Sequence, residues 1–421
     1  MEAYRRYTCA ASCCFWAAAI PLCSPAAGAE HIRLPAELSG TLGGTPYKIR
    51  VPANWNGTLL VYAHGTASGG IEVVPATFPS TSPTLEDTLL SRGYALAGSF
   101  YEDDLKKASQ STLALTNFFK GKVGNPKRTI VWGISLGGWT ALHLMETHPG
   151  TYDGAIPVSA VEAGFPADVD FELRYGLAYA AAFGWPSEWW GPIEDLRDDL
   201  FGNEATLIMP VFQWYDGTNY GQWEFVRLVM KLPYPVWWDV EPMLGLPGWA
   251  IDGWKATALR SNAERAFGGP VAQNIGDVYE LTPEEKAYLS GLGVDAEGQL
   301  AWMNQHTNIA ARRSARNHLE HYGAPTGGLR QPVVMMHGIL DAMLPVSHAS
   351  VYRDLADAVG HGDRLVQVFV NAGHASFSAG QFLSTLAAVE HWLDTGVPPD
   401  ASFFPEAEGF DNSFVPPPWP Y

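Results

Sequence analysis

The feature that most limits what this chain can fold into is a series of short, continuously apolar runs alternating with helical stretches. A run that is apolar at every position needs cover on both of its faces, and parallel strands joined by crossover helices provide that cover. We read strands at 47–51, 58–63, 94–100, 128–132 and 152–158, and again at 332–337 and 365–370. Helical stretches fall at 84–92, 107–120, 139–147, 348–359 and 376–394. The turn Asn54-Trp55-Asn56-Gly57 separates the first two strands. The pattern predicts an α/β fold built on a mostly parallel sheet.

Between the two groups of strands the pattern stops. Residues 160–330 have little strand signal and hold ten of the 16 tryptophans, from Trp185 to Trp302, among many prolines. Helical pieces are read at 192–201, 222–231, 282–289 and, longest, 299–321. We therefore expect an inserted helical cap, 160–330, between the halves of a core made of 30–159 and 331–421. Its tryptophans fit an aromatic pocket or simply the interior of the helical layer. The tail, with Pro416-Pro417-Pro418, is excluded from helix and central strand and is expected to lie over the surface.

The N-terminus reads as an export signal. Arg5 and Arg6 precede a largely apolar run from Cys9 to Cys23, and Ala27-Gly28-Ala29 supplies a small-x-small cleavage site before Glu30. Residues 1–29 are accordingly expected to be removed, with the paired arginines leaving the export route open. The apolar run is shorter than the ~20 residues that a stable membrane span requires. All four cysteines, Cys9, Cys13, Cys14 and Cys23, lie in that segment, so the mature chain is expected to hold neither thiol nor disulfide. An exported chain without disulfides points to a bacterial source and a secreted or periplasmic location. Formal charge is −18. Such an acidic excess repels phosphate backbones and anionic membranes, which argues against a nucleic-acid partner.

The chemistry is carried by Gly133-Ile134-Ser135-Leu136-Gly137. A nucleophilic serine needs a sharp strand-to-helix turn that lifts its hydroxyl clear of the sheet, and flanking glycines let neighbouring backbone pass. By itself the pattern is common. Here an apolar strand, Thr129-Ile130-Val131-Trp132, runs straight into Gly133, and a helix follows until His148-Pro149-Gly150. His374 lies in the loop Asn371-Ala372-Gly373-His374 after the last strand, where an imidazole can take the serine proton. Asp341 lies in the loop after 332–337 and is the candidate to accept the second N–H of that histidine. Turn-capping is the alternative for Asp341. Backbone N–H groups of Thr66, after 58–63, and of Leu136 are the candidate oxyanion donors, with His64 read as bracing its loop.

In order, Tyr62-Ala63-His64-Gly65-Thr66, Gly133-Ile134-Ser135-Leu136-Gly137-Gly138, His337-Gly338-Ile339-Leu340-Asp341 and Gly373-His374 resemble the α/β-hydrolase superfamily, in particular its secreted esterases and lipases. The resemblance covers the chain on both sides of the insertion. It implies an eight-stranded, mostly parallel sheet beneath a helical cap, and hydrolysis of small or polymeric carboxylic esters through an acyl-enzyme without cofactor or metal. Rival readings are a serine peptidase with the same three residues and a binding module that kept the fold without the chemistry.

Overall fold

A computed structural model describes residues 32–66, 70–75, 83–102, 104–184, 218–232, 260–341, 343–374 and 376–419. The proposed signal, the helical piece 192–201 and eight of the ten insertion tryptophans lie outside the described residues.

Eight strands form one sheet: β1 (Ala36–Leu42), β2 (Thr45–Val51), β3 (Thr58–Ala63), β4 (Ala95–Ser99), β5 (Arg128–Ser135), β6 (Gly154–Ala160), β7 (Val333–Gly338) and β8 (Leu365–Val370). Their order across the sheet is β1-β2-β4-β3-β5-β6-β7-β8. β2 pairs antiparallel with both β1 and β4, while every pairing from β4 to β8 is parallel. This is the expected mixed, mostly parallel sheet. β1 was not read from sequence. It closes on β2 through Gly43-Gly44, both at positive φ (59° and 88°), a two-residue hairpin turn that glycine enters without steric cost.

The continuous apolar runs are explained by cover on both faces of the sheet. On one face Leu60, Tyr62, Ile130, Trp132, Ile134, Val334 and Met336 pack with Leu85, Leu89, Phe382, Leu386 and Trp392, from helices Leu85–Ser91 and Ala379–Thr395. On the other, the alternate residues Leu59, Val61, Val131, Val333 and Met335 pack with Leu115, Phe119, Leu142, Met145 and Tyr352, from Leu105–Lys122, Leu136–Thr147 and His348–Ala358. Successive residues thus serve different layers, as the two-residue strand period requires.

Between β6 and β7 the described chain is helical, with segments Phe165–Phe183, Tyr220–Val229, Arg260–Phe267, Pro283–Gly291, Ala296–Asn304 and Arg313–Gly323. They enclose a hydrophobic cluster of their own that includes Phe171, Tyr175, Trp223, Phe225, Leu300 and Leu319. Trp223 lies buried within that cluster. Two bidentate ion pairs cross this layer: Arg316 to Asp170 at 2.7 and 3.0 Å, and Arg174 to Asp277 at 2.5 and 3.1 Å. Asp170 also accepts the Gln273 N–H at 2.8 Å.

Two expectations are corrected here. The stretch 299–321 is not one helix but two, Ala296–Asn304 and Arg313–Gly323. Two asparagine side chains hold the break: Asn304, at the end of the first helix, pairs reciprocally with the backbone of Tyr279, at 2.8 Å each way. Asn274 donates to His306 O at 2.7 Å and accepts from Ile309 N at 3.0 Å. The longest described helix of the insertion is instead Phe165–Phe183, which the sequence reading passed over. It is buried on nearly every side and so lacks the apolar stripe of a surface helix.

The insertion leaves and rejoins the sheet at one place. Gly164, at φ 85°, has no room for a Cβ because Pro325 and the Gly323 carbonyl occupy that space. At the same seam Glu146, on the helix behind Ser135, accepts the N–H groups of Thr326 and Gly327 and the hydroxyl of Tyr352. The C-terminal tail runs over the surface as expected, with Trp419 set against His348 at 4.7 Å and Phe171 at 5.6 Å.

Candidate active site

Ser135 is the last residue of β5 and immediately precedes the helix Leu136–Thr147. Its backbone sits at φ 60°, ψ −124°, a conformation that a non-glycine residue adopts only when its surroundings enforce it. The enforcement is visible in the glycines. A Cβ on Gly137 would strike the Ala63 carbonyl, so the helix can begin this close to β3 only without one. A Cβ on Gly65 would lie 3.5 Å from the Cβ of Ser135, which puts the loop after β3 directly beside the serine. Thr66 continues that loop, and Leu136 is the first residue of the helix, where backbone N–H groups have no partner within the helix.

His64 braces this loop. Its Nε2 accepts the Tyr101 N–H at 3.2 Å, so Nδ1 carries the proton and donates to Gly65 O at 2.7 Å. The Tyr101 hydroxyl donates to His64 O at 2.5 Å, and the two rings stack at 3.8 Å.

Asp341 and His374 are brought together by the ends of β7 and β8. Ile339 N donates to Val370 O at 2.8 Å and Leu340 N to Ala372 O at 3.1 Å, so the loop after β7 is laced to the loop after β8. His374 Nδ1 then lies 2.8 Å from Asp341 Oδ2 and 3.0 Å from Oδ1, with both side chains fully buried. Asp341 Oδ1 also accepts N–H groups from Met343 at 2.9 Å and Leu344 at 2.8 Å. Burial alone pushes this carboxyl up; His374, then His337 and the Leu344 N–H, outweigh burial and hold it below the usual carboxylate range. An ionised carboxylate only accepts, so Nδ1 of His374 carries the proton and Nε2 is its basic nitrogen.

The neighbouring His337 and Glu162 were not picked out as site residues from the sequence. His337 Nδ1 is 2.8 Å from Glu162 Oε1, Nε2 is 2.9 Å from Leu344 O, and Asp341 Oδ2 lies 3.6 Å from Nε2. The only trace in the sequence is His337 ending an apolar strand four residues before Asp341. Glu162 has no local signal. Among the described residues no group of three or more His, Cys, Asp or Glu is arranged to hold a metal ion, and no helix is long and apolar enough to cross a membrane.

No protein-family model matches the chain. It is 23% identical to an o-phthalyl amidase of Xanthobacter agilis over 417 aligned positions, covering 87% of this chain and 89% of that protein. Similar solved structures include an esterase of Aspergillus oryzae (14% identity, TM-score 0.43, 86% of this chain and 80% of that one). Feruloyl esterase B of the same organism has 14% identity and a TM-score of 0.42, covering 86% of this chain and 81% of that one. The enol-lactonase of Burkholderia xenovorans LB400 has 14% identity and a TM-score of 0.36, covering 87% of this chain and 99% of that one. With β4 to β8 parallel in this order and a serine at the sharp turn from β5 into its helix, the chain is an α/β-hydrolase in fold.

Proposed function

We propose that this protein is a serine hydrolase that cleaves carboxylic esters through an acyl-enzyme on Ser135. The observation that carries the reading is the buried 2.8 Å hydrogen bond between His374 and Asp341, at the same sheet edge as a serine held in a strained turn. The serine Oγ attacks the substrate carbonyl while Nε2 of His374 takes its proton. Asp341 holds the ring in the Nδ1–H tautomer and stabilises the imidazolium. The N–H groups of Thr66 and Leu136 receive the developing oxyanion. The imidazolium then protonates the departing alcohol, and water, deprotonated by the same histidine, releases the acid and regenerates the serine. No cofactor or metal takes part in these steps.

The insertion, 160–330, serves in this reading as a cap, and its aromatic content suits apolar or aromatic acyl groups. The N-terminal pattern supports export, with a mature enzyme that begins at Glu30 and acts outside the cytoplasm. A second reading is favoured by one observation: the relative that matches most of the chain is named an amidase. The same three residues then cleave an amide, with the imidazolium protonating an amine. Paired p-nitrophenyl ester and p-nitroanilide substrates with the same aromatic acyl group decide between them. Ester turnover should exceed amide turnover, and Ser135→Ala should lower kcat on either by about 10³-fold or more with the fold intact. A fluorophosphonate that fails to label Ser135, with neither substrate turned over, sinks both readings.

A further inference from the structure

Behind the Asp341–His374 pair lies a second carboxylate–histidine pair that the reaction above does not use. Glu162 follows β6, His337 is the next-to-last residue of β7, and both side chains are almost completely shielded from solvent. The proton inventory is constrained by the partners. The Leu344 carbonyl can only accept, so Nε2 of His337 must carry a hydrogen. The remaining proton lies between Nδ1 and Glu162 Oε1. Placed on oxygen it would leave Asp341, 3.6 Å from the ring, facing a neutral neighbour; placed on nitrogen it gives a cation between two anions. The second arrangement is the one that the charges favour.

From this geometry we infer that His337 is a positioning residue, a buried imidazolium held by Glu162 that fixes the charge and orientation of Asp341 and through it the basicity of His374. This inference rests on the proposed roles of Ser135, Asp341 and His374. Two routes connect His337 to that pair. One is the direct approach of its ring to Asp341 Oδ2. The other is the backbone of Leu344, whose carbonyl accepts a hydrogen bond from His337 Nε2 while its N–H donates to Asp341 Oδ1. The carboxylate cannot rotate without breaking its hydrogen bond to a residue that His337 pins. Charged and titratable groups facing the ring are Glu162 after β6, Asp341 after β7 and, beyond Asp341, His374 after β8. Tyr352, on the helix that follows, lies close enough to Glu162 to feel its charge, and its hydroxyl is committed to Glu146 at 2.9 Å. The balance agrees: burial pushes His337 down, but Glu162 and Asp341 outweigh it and raise the ring to about 9. Burial pushes Glu162 up, and His337 pulls against that rise.

The consequence is a particular sign of change. A positive charge behind Asp341 opposes protonation of His374, so removing it makes His374 easier to protonate and moves the acid limb of kcat/KM to higher pH. A residue that only filled space would lower the folded fraction and leave that midpoint in place.

The test has two arms. In the full-length protein labelled with 15N-histidine, one ring assigned to His337 should show both nitrogens protonated at pH 7.5, where an ordinary histidine is mostly neutral. A neutral ring there overturns the inference, and this arm needs neither a variant nor an active enzyme. The second arm is the pH profile of Glu162→Gln/His337→Gln, which keeps hydrogen-bonding groups and strands no buried charge. Its acid-limb midpoint should rise by about one pH unit and its kcat fall about tenfold, with KM within about twofold of the parent. An unmoved midpoint in a folded variant overturns the inference. Failure of fluorophosphonate labelling at Ser135 in the parent would instead overturn the functional reading, with the charge on His337 still measurable.

Discussion

The sheet and the helical insertion are held together by different means. The sheet is an apolar sandwich in which successive residues of each strand feed opposite layers, and its few buried ions gather at one edge around Asp341. The insertion mixes an aromatic interior with buried ions throughout: Asp168, Asp170, Glu172 and Arg174 are all largely buried on one helix. Apolar packing tolerates no missing volume but makes no demand on partners. A buried ion pair is the reverse, since loss of one member leaves a charge that the surroundings cannot solvate. The two regions should therefore fail in different ways when a single side chain is changed.

Gly137→Ala is expected to have the largest effect, because its new methyl meets the Ala63 carbonyl, a backbone atom that cannot step aside. The cost should be about 4 kcal/mol or more, seen as a sheet-wide loss in denaturant unfolding; a midpoint near that of the parent would show that the turn is softer than its packing implies. Arg316→Ala comes next, at about 3–5 kcal/mol, because Asp170, largely buried, loses its bidentate partner. Its signature should be local. Hydrogen exchange should rise across Phe165–Phe183 and Arg313–Gly323 while β3 to β8 stay protected, and uniform exchange would erase the distinction between the two regions. Smallest is Thr84→Ala, about 1 kcal/mol, which removes the side chain that caps helix Leu85–Ser91.

Titration separates the regions without mutation. His337 is raised from the ordinary histidine value near 6.5 to about 9, so its contribution to stability is fully present below about 6.5 and is lost as pH rises through about 9. Thermal unfolding followed from pH 6 to 10 should show the sheet losing stability over that interval. A flat profile would mean that folding does not raise the ring's affinity for its proton.

The same division decides what could be read from the sequence. β3 was located to the residue because a strand covered on both faces is apolar without interruption, and β8, at the sheet's edge, because only Gln367 breaks its apolar run. β1 was missed because none of its residues is buried and its sequence, Ala36–Leu42, has no such run. Helix Phe165–Phe183 was missed for the opposite reason: it is buried all round, and its charges look like surface residues until Arg316 and Asp277 are seen beside them. Asn274 and Asn304 hold open a stretch that periodicity joins, through contacts across 35 and 25 positions of chain. In the candidate site, Ser135 announced itself through a local turn, and Asp341 and His374 through their position after successive strands. Glu162 has no local mark, since what gives it meaning is a histidine 175 residues away.

Gly164 and Pro325, touching at the threshold of the insertion, make it a detour that returns to its own doorstep. Entry and exit therefore share a single joint with the sheet, which Glu146 fastens by accepting two amide hydrogens.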